Sequence, residues 1–467
     1  MADGSLDLTR TGRIHVANVG GAGMSAIATL LLEMGHPVSG HDPADDTPFL
    51  ARLRTLGADI TTGAPGPLPD TDAVVVSTAT PADHPHVQTA RRAGLPVVHR
   101  SAALAAICRG RTTVAVAGTH GKTTTSALLA TLLSDAGVDP GFIVGAEVAG
   151  LGRSAVWGGP GPLVVEADES DGTFLALGAT TAIVTNLEAD HLEHWGGEPA
   201  LRAAFARFVA DLPGPAVLCA DDPGSLALAV HAAEPITYGT AASADYRITD
   251  VATEGTAVRF TLTHAGDAVA VTVAEAPGVH NARNAAAAIG MAHRLGVDLA
   301  VAARALGSFR GVARRFEVRG EAAGVVLVDS YDHLPTEGAA ALAAARAGDW
   351  ARVVCCFQPH RYSRTEALGR SFADSFADAD LLVVTGIYPA GEVPRPGVTG
   401  KIVADAVLDA HPWKRVAWLP TLDDVVTYLG NTLRAGDLCL TLGAGDLTTV
   451  PPRVLERLST SPDRRGR

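Results

Sequence analysis

The chain of 467 residues is 47% hydrophobic and 19% charged, holds 50 glycines and has a formal charge of −13. Such a length exceeds the reach of one hydrophobic core and implies about three domains of the soluble α/β class. The acidic balance excludes general binding to nucleic acid or to an anionic membrane, so any phosphate site must be local.

The first domain is expected over 13–111. Arg13 to Ala17 reads as a strand, Asn18-Val19-Gly20-Gly21-Ala22-Gly23 as a turn and Met24 to Met34 as a helix. Asp42 follows Val38-Ser39-Gly40 near the end of a second strand, and Val74 to Ser77 and Pro96 to Val98 continue the alternation. The turn is similar to a dinucleotide fingerprint with Asn18 in place of the first glycine, a change that left-handed backbone angles tolerate. A nucleotide diphosphate suits the helix N-terminus that follows. A purely structural turn is the other reading.

The second domain, 112–317, opens on the most informative string of the chain. Gly118-Thr119-His120-Gly121-Lys122-Thr123-Thr124-Thr125 follows the apolar strand Thr113 to Ala117 and precedes a helical stretch, Ser126 to Ala136. Strand, glycine loop and helix N-terminus form a polyphosphate site, because loop amides and helix dipole both direct positive potential at the ligand. The spacing G-x-x-G-K-T is shorter than the general phosphate loop, since Val116 stands where that motif has its first glycine. Lys122 would reach the terminal phosphates of ATP and Thr123 would offer its hydroxyl to magnesium. One lysine cannot neutralise ATP, so magnesium must share the load, and it prefers oxygen ligands.

Two further segments join this domain. Pro162 to Val165 leads into Glu166-Ala167-Asp168-Glu169-Ser170-Asp171, and Ala182 to Thr185 leads into Asn186-Leu187-Glu188-Ala189-Asp190-His191. Carboxylates and a histidine just past strand C-termini stand where open α/β sheets hold ligands. Thr123, Glu166 and His191 are therefore the candidate metal ligands; a solvated acidic turn and a capping histidine are the plainer alternatives. Tyr246 to Val273 alternates apolar and polar residues like a small antiparallel excursion. His280 and Asn281 then enter an alanine-rich helix carrying Asn284.

At the boundary with the third domain stands Arg314-Arg315-Phe316-Glu317. A guanidinium there can stabilise a transferring γ-phosphoryl group as domains close, or simply make an interdomain salt bridge. The third domain, 318–458, has strands at Gly324 to Val328, Val353 to Phe357, Leu381 to Thr385 and Leu438 to Leu442, a doubly wound pattern. After one strand end His360, Arg361 and Arg364 make a cationic group able to hold a carboxylate, unless it is an exposed basic turn.

Only three lysines occur, Lys122, Lys401 and Lys414. The five cysteines (108, 219, 355, 356 and 439) form no CxxC pair and read as reduced core residues. Without a signal-peptide pattern or an uncharged apolar run of 18 residues, a cytoplasmic protein with no membrane partner is expected. Both ends, 1–10 and 459–467, read as polar, frayed tails. No serine or cysteine nucleophile pattern and no zinc spacing stands out. ATP, magnesium, a second nucleotide-like site and an anion site fit activation of a carboxylate by phosphorylation, then attack by an amine.

Taken in order, GGAGMS (20–25), GTHGKTTT (118–125), EADESDGTF (166–174), NLEADH (186–191), HNARNA (280–285), RRFE (314–317), FQPHRYSRT (357–365), YPAGE (388–392) and GAGD (443–446) resemble the Mur ligase family. EADESDGTF and FQPHRYSRT favour its alanine-adding branch. The resemblance implies an α/β protein of three domains: a Rossmann-like N-terminal domain, a P-loop ATPase-type central domain and a Rossmann-like C-terminal domain. It implies the substrates UDP-N-acetylmuramate, L-alanine and ATP, joined through an acyl phosphate, in a monomer or homodimer. On that resemblance Gly20, Gly21, Ala22, Gly23, Asp42 and Ser77 meet the UDP-sugar. Gly118, Thr119, His120, Gly121, Lys122, Thr123, Thr124, His280, Asn281, Asn284, Arg315 and Asp329 line the ATP site. Lys122, Glu166, His191, Arg315 and His333 are implied for catalysis, and His360, Arg361 and Arg364 for the amino-acid carboxylate. Several family members use a carbamylated lysine after the NxExDH histidine; Leu192 to Pro213 contains none.

Departures from the family pattern cluster at Asp329-Ser330-Tyr331-Asp332-His333-Leu334-Pro335, where DDYAHHP is usual. Ser330 replaces an aspartate, Asp332 a small residue and Leu334 a second histidine, while Gly386 stands for an aspartate before IYPAGE. One lost charge-assisted hydrogen bond at Ser330 costs about 1.5–3 kcal/mol, a weakening and not an abolition, with Asp332 the candidate substitute. Activity is expected. Two other readings remain: the same chemistry on another amino acid or nucleotide-linked carboxylate, and a nucleotide-binding relic without catalysis.

Overall fold

The computed structural model describes residues 6–45 and 47–460. Expected tail residues 1–5 and 461–467 lie outside the described residues. Leu6 is buried in the core and the helix Val450–Thr460 runs through Ser459, so the described chain is tied down closer to its ends than the polar composition suggests. By internal contacts the chain forms two compact units. One holds residues up to Thr249 with Leu262–Val269 and Arg283–Ser308; the other holds Asp250–Thr261, Ala270–Ala282 and the chain from Phe309 onward.

The first sheet has five parallel strands in the order Asp59–Thr62, Val38–Asp42, Ile14–Ala17, Ala73–Val76, Val97–His99. Ile14–Ala17 and Ala73–Val76 are buried throughout, as expected of central parallel strands covered on both faces. Strand order reverses beside Ile14–Ala17, so the turn from Asn18 to Gly23 lies at the switch point where such sheets open a ligand crevice.

Ten strands make the middle sheet, ordered Asp267–Val273, Ala257–His264, Tyr246–Glu254, Pro235–Gly239, Ala216–Cys219, Thr181–Val184, Thr113–Ala117, Leu163–Glu166, Gly141–Val148, Arg153–Val156. Thr113–Ala117 is paired in parallel with both Thr181–Val184 and Leu163–Glu166. The expected separate excursion after Tyr246 is instead continuous with this sheet, because Tyr246–Glu254 pairs in parallel with Pro235–Gly239.

In the third sheet the order is Glu317–Ala322, Val325–Ser330, Asp437–Leu442, Arg352–Phe357, Leu381–Thr385, Val416–Leu419. Its first strand is antiparallel and the rest are parallel. Apolar side chains fill both faces, including Cys355, Cys356 and Cys439. All five cysteines are buried and unpaired.

Helix starts differ from the sequence expectation in one functional respect. The first helix runs Ala22–Glu33 and the second-domain helix Lys122–Asp135, each beginning earlier than the apolar pattern indicated. Lys122 and Thr123 therefore sit in the first helical turn.

Candidate active site

Three neighbouring strands bring the site of the first unit together at their C-terminal ends. Thr113–Ala117 delivers Gly118, Leu163–Glu166 the acidic segment and Thr181–Val184 the stretch from Thr185 to His191. Gly118 has φ 129° and passes so close to the next strand end that a Cβ would collide with Thr185 Oγ1. At Gly121, φ is 79° and a Cβ would lie 2.8 Å from Asn284 Oδ1, which sets Asn284 beside the loop. Both positions demand glycine.

Side chains lace the loop to its neighbour. His120 N donates to Asn186 Oδ1 (2.8 Å), and Asn186 Nδ2 and Thr185 Oγ1 donate to His120 O (3.1 and 2.6 Å). Glu188 N donates to Thr119 Oγ1 (2.9 Å), while His120 Nε2 lies 3.2 Å from Glu188 Oε2. The helix from Lys122 begins on Gly121 with no side-chain cap and no acid in its first turn. The helix from Ala22 likewise begins on glycine, uncapped. Helices preceded by Thr47, Asp298 and Thr421 carry their own side-chain caps. A helix start without a side-chain cap or a first-turn acid suits an anion.

Lys122 Nζ curls back on the loop, donating to Gly118 O (2.6 Å) and Thr119 O (3.2 Å), and meets Glu169 Oε1 (2.9 Å) and Oε2 (2.8 Å). Thr123 Oγ1 donates to Glu166 Oε1 (2.8 Å), whose second oxygen accepts from Gly145 N (2.6 Å). Thr124 is buried. His191, left-handed at φ 52°, pairs with Asp190 through Nε2 (3.3 Å). Thr123 and Glu166 are thus in direct contact, whereas His191 is paired with Asp190. Among the described residues no trio of His, Cys, Asp or Glu forms a ready metal cage.

Glu169 was missed by sequence reasoning. So was Arg100, which grips Asp171 (2.6 Å) and Asp168 (3.0 Å). The only signal was the density of carboxylates in EADESD; which of the four faces what is decided by the fold.

In the first sheet Asn18 is left-handed at φ 54°. Asp42 braces the turn, accepting from Gly20 N (2.7 Å) and Ala44 N (3.0 Å). Ser77 N donates to Thr80 Oγ1 (3.1 Å). Nearby, His15, His41, His84 and His86 are all buried, with ring centroids 4.7–5.6 Å apart. Burial, reinforced by the neighbouring rings, pushes the His15 pKa down to about 3, so this imidazole is neutral.

The second unit carries its own polar network. Asn281 Nδ2 donates to Pro277 O (2.8 Å), and His280 stands next to it in the helix Val279–Arg294. Asp329 has no exposed surface and accepts from Thr441 Oγ1 (2.6 Å) and Thr448 Oγ1 (2.7 Å), with Arg314 Nε 3.4 Å away. As placed, it braces Arg314. Ser330 Oγ donates to Asp332 Oδ2 (2.6 Å) and accepts from Phe316 N (3.1 Å); Asp332 Oδ1 lies 3.8 Å from Arg315. Arg314 and Arg315 both stack on Tyr331, at 4.9 and 5.2 Å from its ring centre.

His333 Nδ1 lies 3.0 Å from Tyr331 O, and burial lowers its pKa against the pull of Glu337. The neutral ring then donates from Nδ1 and keeps a lone pair on Nε2. His360 stacks on Tyr388 (5.8 Å, 13°) and its Nδ1 lies 3.1 Å from Arg364. Burial, then His333 and the adjacent arginines, holds the His360 pKa at about 3. That corrects the expectation of a three-membered cationic group: His360 is neutral, and the charge rests on Arg361 and Arg364.

Comparison with known proteins defines the class. The Mur ligase family, catalytic domain, model matches residues 13–112; the Mur ligase middle domain matches 116–292; and the Mur ligase, glutamate ligase domain, matches 314–445. The chain belongs to the Mur ligase family and has its three-domain α/β architecture. It is 48% identical over 463 residues to the UDP-N-acetylmuramate--L-alanine ligase of Kineococcus radiotolerans, covering 97% of each chain. With the enzyme of the same description from Acidothermus cellulolyticus it shares 45%, covering 97% of this chain and 96% of that one. Among solved structures, the UDP-N-acetylmuramate-alanine ligase from Thermotoga maritima matches with a TM-score of 0.80 and 28% identity, over 96% of this chain and 99% of that one. A murein peptide ligase from Psychrobacter arcticus matches less closely, at TM-score 0.69 and 25% identity over 96% and 99%. No helix among the described residues is long and apolar enough to cross a membrane.

Proposed function

We propose that the chain joins L-alanine to UDP-N-acetylmuramate at the expense of ATP, supplying a peptidoglycan precursor in the cytoplasm. The carrying observation is the near full-length 48% identity to an alanine ligase, together with an intact phosphate loop. The sugar acid's carboxylate oxygen attacks the γ-phosphorus and ADP leaves. Alanine's amine then attacks the acyl carbon of the acyl phosphate and inorganic phosphate leaves.

In this reading 13–111 binds the UDP-sugar through the bare helix start at Gly20 to Gly23, with Asp42 and Ser77; 112–317 binds ATP; and 318–458 presents the amino acid. Lys122 and Arg315 stabilise charge on the transferring phosphoryl group, where preorganised donors act most strongly. Asn284, His280 and Asn281 line the nucleotide. Arg361 and Arg364 hold the alanine carboxylate with the neutral His360 as a hydrogen-bonding neighbour. His333 Nε2, unprotonated, accepts the amine's proton.

The hydroxyl of Thr123 in contact with the carboxylate of Glu166 is an oxygen pair suited to magnesium, which takes few protein ligands and completes its shell with water and phosphate oxygens. Thr123, Glu166 and His191 would hold it, and when bound it would neutralise phosphate charge.

Phosphate release measured with purified protein, ATP, UDP-N-acetylmuramate and each amino acid in turn tests the reading. Turnover dependent on alanine supports it. Turnover with a different amino acid alone would reassign the substrate, and none with any pair would leave a nucleotide-binding relic.

A further inference from the structure

The strand Ala216–Cys219 is followed by two adjacent aspartates, Asp221 and Asp222, that have no role in the reaction just described. Asp222 Oδ1 accepts from Leu187 N (3.1 Å) and Ser225 N (2.6 Å). It thereby holds the segment whose Asn186 accepts from the phosphate-loop amide of His120. Asp221 serves a different segment. It accepts from Thr240 N (2.8 Å), Thr240 Oγ1 (3.0 Å) and Ala241 N (2.9 Å), and Arg283 Nε donates to its Oδ2 (2.6 Å). The Asp221 side chain is 9% exposed, and a Cβ on Gly239 would lie 2.7 Å from its Oδ1. Burial works against its ionisation, but the Thr240 amide and the Arg283 guanidinium outweigh burial and hold the carboxyl below the usual range. The pair is therefore ionic at neutral pH, and its acidic member is fixed by backbone.

Arg283 immediately precedes Asn284, whose Oδ1 lies beside Gly121 of the phosphate loop. The next turn of that helix, Ala285 to Ala288, is fully buried but carries only methyl groups. Such short side chains make shallow ridges and key a helix weakly along its axis. A polar pin near Asn284 supplies what packing does not. We propose that Arg283 is a positioning residue for ATP: held by Asp221, it fixes the helix so that Asn284 stands at the phosphate loop. The proposal rests on reading that loop as the ATP site. A second set of ties, Tyr246 Oη with His293 Nδ1 (2.7 Å) and Arg294 with Glu234, secures the far end of the same helix. That end lies about 15 Å from Arg283 along the helix axis, and it provides a control.

The test is the Kd for ATP by calorimetry on the full chain, alongside kcat and KM. Arg283→Leu should raise Kd and KM for ATP about tenfold, with kcat and the KM for UDP-N-acetylmuramate within about twofold of wild type. His293→Ala, which cuts a tie remote from the loop, should leave ATP affinity unchanged. Arg283→Leu combined with Asp221→Asn should bind ATP no more weakly than Arg283→Leu alone, because the two side chains act as a unit. Wild-type ATP affinity in Arg283→Leu would overturn the proposal. So would an equal loss in His293→Ala, which would make the effect one of helix stability, or additive losses in the double variant. If Arg283→Leu folds poorly, Arg283→Gln, which keeps an N–H donor without the charge, carries the test with an expected weakening of about threefold. Unchanged affinity there refutes the idea. Failure of the wild-type protein to bind ATP would instead remove the ATP-site reading beneath it.

Discussion

The phosphate loop of the first unit and the Asp329–His333 and His360–Arg364 loops of the second face the same task, holding charge at strand C-termini, and do so differently. Around the phosphate loop, charges are paired with opposite charges: Lys122 with Glu169, and Arg100 with Asp168 and Asp171. In the second unit, arginines stand beside histidines kept neutral by burial, and Asp329 is enclosed by hydroxyls. Neither paired charges nor imidazoles that titrate near 3 change charge in the folded state near neutrality; the histidines respond to pH through stability, because they take up protons on unfolding. The first arrangement matches charge with opposite charge; the second keeps imidazoles unprotonated.

Lys122→Ala is the strongest way to break the comparison. Turnover should fall by at least about a hundredfold, the scale of one preorganised charge-stabilising donor, with the fold unchanged by circular dichroism. A fall of a fewfold would remove the loop from the chemistry.

Less severe, and confined to the second unit, is the exchange at position 330. Ser330→Asp restores the residue usual in the family but sets a second carboxylate against Asp332, now 2.6 Å from the serine hydroxyl. Like charges at such separation disfavour joint ionisation, so kcat/KM should drop about tenfold. Ser330→Asp combined with Asp332→Ala should recover most of it. If the double variant is no better than the single one, Asp332 is not the compensating residue.

The smallest effect within the working pH range is on stability. Folded His15 and His360 titrate near 3, below the ordinary 6.5, so unfolding takes up protons as pH falls. Their contribution is fully present above about 6.5 and is lost progressively towards 3. For buried His15 the limiting slope is about 1.4 kcal/mol per pH unit; for His360, partly screened by solvent, it is less. The melting temperature should be level from pH 8 to 7 and decline below 6.5, with a shallower decline in His360→Gln. A melting temperature that rises on acidification would contradict the burial argument.

Much of the candidate site's local geometry was legible in the chain because it is local. Thr113 to Thr123 is a strand, a turn and a helix start, and the glycines Gly118 and Gly121 are required by their positive φ and close neighbours. Glu166 lay one residue past an apolar run, so its place at a strand end followed from patterning alone. What escaped was pairing across sequence distance. Glu169 lies 47 residues from Lys122 and Arg100 lies 71 from Asp171. Nor could composition show that His360 is neutral, since its charge state depends on burial and on His333 arriving from another strand. Edge strands such as Asp59–Thr62 and Val416–Leu419 were also unseen, being short and only partly buried.

The sequence by itself determined three α/β domains, the phosphate loop and the family, because hydrophobic period and turn chemistry act over a few residues. Only the tertiary structure decided which carboxylate meets the lysine, which histidines stay uncharged and how Ser330 and Asp332 form one polar pair. Those outcomes depend on desolvation and on Coulomb interactions over a few ångströms, distances that exist only once remote segments are packed together.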